Sequence, residues 1–238
     1  MSEFICDDCM KHLPDYPNNY FDLAIVDPPY GLGEHGGRMR NGYVKQKNGT
    51  MSYVQGPYYE KKNWDKAVPG EEYFRQLFRV SKNQIVFGTN YFKYPMHGGR
   101  IVWDKCNDGS TQSDAEIAYN SLNNKVTIFR YMWRGMFQGA SIDRGWIQNG
   151  NKELNEKRIH PTQKPVNLYR WICREYAQKG WKILDTHVGS GSSLIAFEEY
   201  GLEYVGFEKD RDYYNGAMKR LEEARSQMSI FDFMDRQE

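Results

Sequence analysis

The chain has 238 residues, with 32 Lys and Arg against 31 Asp and Glu, for a net charge of +1. That balance argues against a polyanion binder working through bulk charge alone, and the length fits one domain, 1–238, with room for small insertions. No apolar run approaches the about 20 residues that span a bilayer and no leader-like start is read, so a cytoplasmic protein without a membrane partner is expected.

In chain order, the first strong signal is Leu23-Ala24-Ile25-Val26 running into Asp27-Pro28-Pro29-Tyr30. This reads as a buried strand ending in a rigid loop. Two prolines fix the backbone and remove two N–H donors. A carboxylate, a proline carbonyl and an aromatic ring are expected to face outward. Two acceptors beside a flat ring suit a planar heterocycle with an exocyclic amino group. The amino nitrogen of adenine is a poor nucleophile because its lone pair is delocalised. If Asp27 and the Pro28 carbonyl each accept one amino proton, the lone pair is freed toward an electrophile. Tyr30 would hold the base by stacking, worth about 1–3 kcal/mol. A Pro-rich turn is the plainer reading of the tetrapeptide alone.

Residues 31–66 then carry seven basic against three acidic side chains, a net +4, interleaved with Tyr43, Tyr53, Tyr58, Tyr59 and Trp64. A long loop of this kind is either functional or simply solvated. Its Arg38, Arg40, Lys45, Lys47, Lys61 and Lys62 suit phosphate contact, and its aromatics suit support of a displaced base. Tyr73, Phe74, Leu77 and Phe78 read as one helix face. Residues 84–87, 100–103, 116–119 and 126–129 read as strands. The later ones lack intervening helices, which suggests an antiparallel hairpin at one edge. Residues 132–158 form a second candidate DNA-contacting insertion, with Arg134 and Arg144 among its cations.

His160-Pro161-Thr162-Gln163-Lys164-Pro165 precedes a helix bearing Tyr169, Ile172, Cys173 and Tyr176 and ending at Gly180. Lys164 is read either as a lysine meeting a carboxylate near the next turn or as a solvated helix-start residue. Lys182–Asp185 reads as a strand, residues 186–192 as a Gly-rich turn, and the stretch through Phe197 to Gly201 as a helix. Residues 204–208 read as a strand ending in an acid. Strand, glycine turn, helix, strand, acid is the order of nucleotide-binding α/β units. The turn is not GxGxxG and lacks the P-loop lysine, so phosphate binding is not favoured. These elements together imply a doubly wound, mostly parallel α/β sheet of Rossmann-like type with the ligand at the strand carboxyl ends. The cysteines, at 6, 9, 106 and 173, are read as free thiols; Cys6 and Cys9 form a CxxC, but no second CxxC accompanies it and no metal site is expected.

The ordered set DPPY, HPTQKP, ILDxxxGSGSS and VGFEKD resembles the S-adenosylmethionine-dependent amino methyltransferases of DNA, in the permuted order that places the catalytic half first. Asp7-Asp8-Cys9-Met10, Trp103-Asp104-Lys105 and Ser113–Ala118 are similar to further segments of adenine methylases, and the likeness spans residues 4 to 222. The resemblance implies a class I fold and transfer of methyl to adenine N6 in a specific double-stranded DNA sequence. Asp27, Pro28, Pro29 and Tyr30 would then be catalytic. Asp8, Cys9, Asp27, Lys164, Pro165, Asp185, Thr186, Gly189, Gly191, Ser192 and Glu208 would line the cofactor site, with Asp8 on the adenine amino group, Glu208 on the ribose and Lys164 near the carboxylate. Two departures stand out: Asp7 replaces a glycine, and Thr186-His187 fill positions that are usually apolar. His187 is read as a polar cofactor neighbour or a simple loop residue. The alternatives are a cytosine-N4 methyltransferase, a branch that usually has Ser at position 27, and a catalytically silent DNA- or cofactor-binding partner. Dimerisation is plausible. Gln227-Met228-Ser229-Ile230-Phe231 resembles peptides that dock on sliding clamps, or else forms a frayed amphipathic tail or an apolar tail packed on the domain or a dimer partner.

Overall fold

The structure is a computed structural model. It describes every residue except 34–36, 39–41, 46–48, 55–57, 60–61, 63–64, 109–112, 135–136, 140–154 and 236–238. In chain order the chain forms β1 (Glu3–Ile5), β2 (Phe21–Val26), β3 (Gly37–Arg38), β4 (Gly42–Lys45), β5 (Met51–Val54), β6 (Tyr58–Tyr59) and helix α1 (Glu71–Val80). Next come β7 (Ser81–Phe87), β8 (Gly99–Asp104), β9 (Ala115–Asn120), β10 (Val126–Arg130), β11 (Met132–Arg134) and β12 (Phe137–Gly139). The cofactor-type unit follows as α2 (Val166–Tyr176), β13 (Lys182–Asp185), α3 (Ser192–Glu199), β14 (Glu203–Phe207) and α4 (Arg211–Asp235).

Eight strands make one sheet in the order β1-β14-β13-β2-β7-β9-β8-β10. The pairs from β1 through β7 are parallel. β9 runs antiparallel to both β7 and β8, and β10 returns parallel to β8. The expected hairpin is therefore β8–β9, set one strand in from the β10 edge. β2 is apolar throughout because both its faces are covered, as parallel strands require. Leu23 and Ile25 pack with α2 and α3 on one side, and Ala24 and Val26 pack with α1 on the other. Ile183 and Leu184 of β13 divide between the same two layers.

β2 and β13 are neighbours whose chains leave in opposite directions, β2 toward β7 and β13 toward β14. The crevice beyond their carboxyl ends is the switch point at which α/β sheets take ligands. Asp27 follows β2, Thr186 follows β13 and Glu208 follows β14, so three separate segments deliver polar groups to one edge. Within residues 31–66 the described strands form small ribbons outside this sheet, β3 with β6 and β4 with β5. β11 and β12 form another.

Candidate active site

An open cleft of about 780 Å³ lies at the switch point. Asp27, Pro29 and Lys164 line it from the β2 side, and Asp8, Cys9 and Glu208 from the side of β1 and β14. Thr186, Gly189 and Ser192 line it from the glycine turn. Pro28, Tyr30, Pro165, Asp185 and Gly191 stand behind this lining and shape it. Pro165 starts α2 in an extended conformation. Gly191 has φ of +81°, and a Cβ there would lie 3.1 Å from the Ala217 Cβ on α4; the turn is closed by that approach.

The two ends of the cleft are built differently. On the cofactor-type side, Glu208 accepts hydrogen bonds from the backbone N–H groups of Gly189 (2.9 Å) and Asp210 (2.8 Å). Burial raises its carboxyl above the ordinary range. Asp185, buried at 2% exposure, accepts from the Ser193 hydroxyl (2.6 Å) and the His187 backbone N–H (3.0 Å). Burial pushes its carboxyl up to about 7 against those two bonds. Asp8 accepts from the Met10 N–H at 2.9 Å and so starts the short 3-10 turn Cys9–Lys11. Asp7, at the position where a glycine was expected, pairs with Lys11 at 2.7 Å and His12 at 3.1 Å. Thr186 and His187 continue a chain of hydroxyl and imidazole contacts: Tyr73 Oη to Thr186 Oγ1 is 2.7 Å, and Thr186 Oγ1 to His187 Nδ1 is 2.9 Å. His187 lines the cleft, and burial holds its imidazole down to about 3. It is a loop residue that lines the cleft.

On the catalytic side the arrangement is ionic. The Lys164 ammonium lies 2.5 Å from Asp27 Oδ2 and 2.9 Å from Glu116 Oε2. Glu116 Oε1 takes Lys105 at 2.6 Å. The Tyr30 hydroxyl donates to Asp27 Oδ1 at 2.5 Å and reaches Glu116 Oε2 at 3.4 Å. Two lysines and two carboxylates thus alternate, as buried charges must if each is to be compensated. Burial raises Asp27, with the attraction of Lys164 opposing it and the repulsion of Glu116 adding to it. Burial also works against ionised Glu116, but Lys164 and Lys105 together hold it down to about 2.

This corrects two sequence expectations. The Tyr30 ring does not project outward: it stacks on Tyr91 with centroids 4.9 Å apart, and its hydroxyl is spent on Asp27. A half-buried carboxylate without an external ligand takes its hydrogen bonds from within the protein. Lys164 does meet a carboxylate, but its ammonium is on Asp27 and Glu116, and no contact with the glycine turn accompanies it among its hydrogen bonds.

The candidate DNA residues divide. Arg40, Lys47, Lys61 and Arg144 lie outside the described residues, and Arg38, Lys45 and Arg134 are described through their backbones only. Lys62 is placed against the start of α4, where it pairs with Asp210 at 3.2 Å and with Asp212. Its charge is met by carboxylates, which departs from the expected phosphate contact. Tyr43 and Tyr53, 68% and 53% exposed, form an edge-to-face pair across β4 and β5. Residues 227–231 fall within α4, a helix and not an extended peptide. The four cysteines form no disulfide, and burial pushes Cys9 up to about 12. Among the described residues no cluster of three metal-ligating side chains occurs, and no helix is long and apolar enough to cross a membrane.

Sequence reasoning missed Glu116 and Lys105 as site residues, and Gly88, whose lack of a Cβ leaves room for the Tyr30 ring. It also missed the knot of Glu156, Arg220 and Ser190: Arg220 donates to Glu156 at 2.7 Å and to the Ser190 carbonyl at 2.5 Å. An acid inside an otherwise apolar internal strand was the available signal for Glu116.

A doubly wound sheet with a carboxylate tetrapeptide after one switch-point strand and a glycine turn after its neighbour defines a class I methyltransferase fold. Residues 111–219 match the family model described as DNA methylase. Type II methyltransferase M2.DpnII of Streptococcus pneumoniae is 25% identical, over 90% of this chain and 87% of that protein. Type II methyltransferase M.HpaI of Haemophilus parainfluenzae is 24% identical, over 97% of this chain and 76% of that one. Among solved structures, the M1.HpyAVI–SAM complex superposes with a TM-score of 0.55 at 17% identity, over 92% of this chain and all of that one. The PvuII cytosine-N4-specific DNA methyltransferase gives 0.53 at 11% identity, over 94% and 90%. Along most of its length the chain is similar to DNA methylases.

Proposed function

We propose that this protein transfers a methyl group from S-adenosylmethionine to the exocyclic N6 of an adenine turned out of a specific double-stranded DNA sequence. The observation that carries the choice of an amino target is the position of Asp27: an acceptor carboxylate at the cleft wall, backed by two prolines with no N–H of their own. Asp27 and the Pro28 carbonyl accept the two amino protons, and the nitrogen lone pair turns out of the ring plane. Fixed acceptors stabilise the positive charge that develops on nitrogen, the inverse of an oxyanion hole. The base must leave the helix to reach them, at a cost of about a few kcal/mol.

The cleft suits the cofactor. Glu208 ends its strand with each carboxylate oxygen taking a single backbone N–H, which leaves lone pairs for ribose hydroxyls. The glycine turn carries no phosphate-binding lysine, and the cleft sits at the switch point where α/β sheets take small ligands. When bound, S-adenosylmethionine supplies an electrophilic methyl group. Asp8 and Cys9 then bound its adenine end, and the turn at 186–192 bounds the amino-acid end. The exposed tyrosine pair on the 31–66 ribbons supports DNA contact there, because aromatic faces accept unstacked bases.

Asp27 favours adenine over cytosine, since a Ser at this position goes with the cytosine-N4 reading. The test is labelled-methyl transfer to unmethylated DNA, followed by digestion to nucleosides. N6-methyladenine is expected; label in N4-methylcytosine rejects the adenine assignment, and no label in DNA rejects the enzyme. Sequencing the treated DNA for modified bases gives the recognition site, and sedimentation of the purified protein tests dimerisation. Clamp docking through residues 227–231 is tested by pull-down with a chain truncated after Ser226; equal recovery rejects it.

A further inference from the structure

Asp27 is fully engaged in this structure. Its Oδ1 holds the Tyr30 hydroxyl at 2.5 Å and its Oδ2 holds the Lys164 ammonium at 2.5 Å. Both donors sit where a target amino group would have to arrive. Both also touch one further oxygen, Glu116 Oε2, which lies 2.9 Å from Lys164 and 3.4 Å from the Tyr30 hydroxyl. The other oxygen of Glu116 is pinned by Lys105 at 2.6 Å, whose ammonium also stands 5.0 Å over the Trp103 ring. Glu116 and Lys105 come from the β9–β8 hairpin, inserted antiparallel beside β7, and not from the segments that carry the tetrapeptide or the glycine turn.

We infer that Glu116 is a positioning residue: it is the alternative acceptor onto which Lys164 and Tyr30 shift when the amino group of a target base takes Asp27. The inference rests on the reading of Asp27 as the amino-group acceptor. A buried cation cannot be released without a second partner, because an uncompensated buried charge is strongly destabilising. Lys164 is 5% exposed, so solvent cannot take it over. Glu116 removes that obstacle, since the shift needs side-chain rotation and no new charge. Lys105 keeps Glu116 in place while its partners change. Without DNA, the same geometry keeps Asp27 neutralised; with DNA, Asp27 is exchanged from an internal to an external donor.

Glu116→Gln tests this. The amide keeps the shape but lacks the charge to hold Lys164 alone. Turnover on DNA should fall about 10–100-fold, while the cofactor dissociation constant stays within about twofold, because Glu116 does not line the cofactor side. The groups facing Asp27 are Lys164, Tyr30 and Glu116, with Asp185, Tyr73 and Tyr169 beyond; those facing Glu116 are Lys164, Lys105 and Tyr30, with Tyr169 beyond. Glu116 raises the Asp27 carboxyl by repulsion, so its removal should move the acid limb of kcat/KM to lower pH. A merely structural role would lower the melting temperature and cofactor affinity together and leave the limb in place. In a Tyr30→Phe background, where only Lys164 must shift, the Glu116→Gln penalty should shrink.

Wild-type turnover or an unmoved acid limb in folded Glu116→Gln overturns the role of Glu116, as does a penalty undiminished by Tyr30→Phe. Should Glu116→Gln fail to fold, Glu116→Asp carries the test. Its shorter arm cannot reach both donors, so an intermediate rate is expected, and a rate equal to wild type overturns the inference. A wild-type protein that methylates no DNA would instead count against the reading of Asp27.

Discussion

Two pairs of buried or half-buried carboxylates stand at or behind one cleft wall and are compensated in opposite ways. Glu208 and Asp185 take their hydrogen bonds from neutral donors, three backbone N–H groups and one serine hydroxyl. Asp27 and Glu116 take theirs from two lysines and a tyrosine. Backbone donors are fixed by the turn that carries them, so the cofactor end is organised before any ligand arrives. Lysine and tyrosine side chains rotate, so the base end is closed at rest and must exchange partners. On the proposed reading, the rigid end takes the constant small molecule and the end with rotatable donors admits a polymer's base.

The sharpest break between the two ends is Asp27→Ala. It should lower methyl transfer by at least about 1000-fold while changing cofactor affinity by no more than about threefold. Labelled transfer and calorimetric titration of the cofactor read the two separately. Retained turnover would dissolve the distinction, because the chemistry would then not depend on the ionic end at all. Gly88→Ala comes next. A Cβ there would stand 2.1 Å from Tyr30 Cε1, on a backbone with φ of +73°. The tyrosine ring must move, and Asp27 loses a donor in its resting arrangement. A displacement of about 1 Å near the reacting group costs up to about 100-fold in rate. Stability should also fall by about 1–2 kcal/mol from the left-handed backbone. A rate unchanged in the presence of that stability loss would show that Tyr30 matters for packing only.

The cofactor end was legible from the chain because it is local. Strand, glycine turn, helix and terminal acid follow one another between residues 182 and 208, and the structure adds the hydrogen bond from the Gly189 N–H to Glu208. The tetrapeptide was legible for the same reason. Its electrostatic setting was not. Glu116, held by Lys105, reaches Lys164 only because β9 is inserted antiparallel between β7 and β8, which no local pattern reveals. The direction of the Tyr30 ring depends on Gly88 and Tyr91, about sixty residues away. Lys62 shows the limit of charge counting: its sign was plain, but its partners, Asp210 and Asp212, come from the far end of the chain.

At the rigid end, Glu208→Ala removes an acceptor without touching the base side. Charged hydrogen bonds contribute about 1.5–3 kcal/mol each, so the cofactor dissociation constant should rise about 10–100-fold. The loss should fall on affinity more than on turnover at saturating cofactor. A drop confined to turnover would mean that Glu208 serves the base and not the cofactor, and the two ends would no longer be separate.

The smallest effect concerns His160, which stands between the two ends, with Lys164 bearing on it from one side and Asp210 from the other. It is 8% exposed and packs on Tyr213 with ring centroids 4.2 Å apart. Burial, followed by the charge of Lys164, lowers its imidazole from an ordinary 6.5 to about 3. Below pH 6.5 the unfolded chain therefore takes up a proton that the folded chain refuses until about pH 3. Stability from this residue is fully present above the unfolded value and is lost as the pH falls through that window. His160→Gln should flatten this part of the curve, so that the drop in unfolding free energy from pH 7 to pH 4.5 becomes smaller than in the wild type. Denaturant titrations at the two pH values read the difference directly. Equal drops would mean that the ring is charged or solvated in the folded protein, and that the low-dielectric wall between the ionic and neutral ends extends less far than His160.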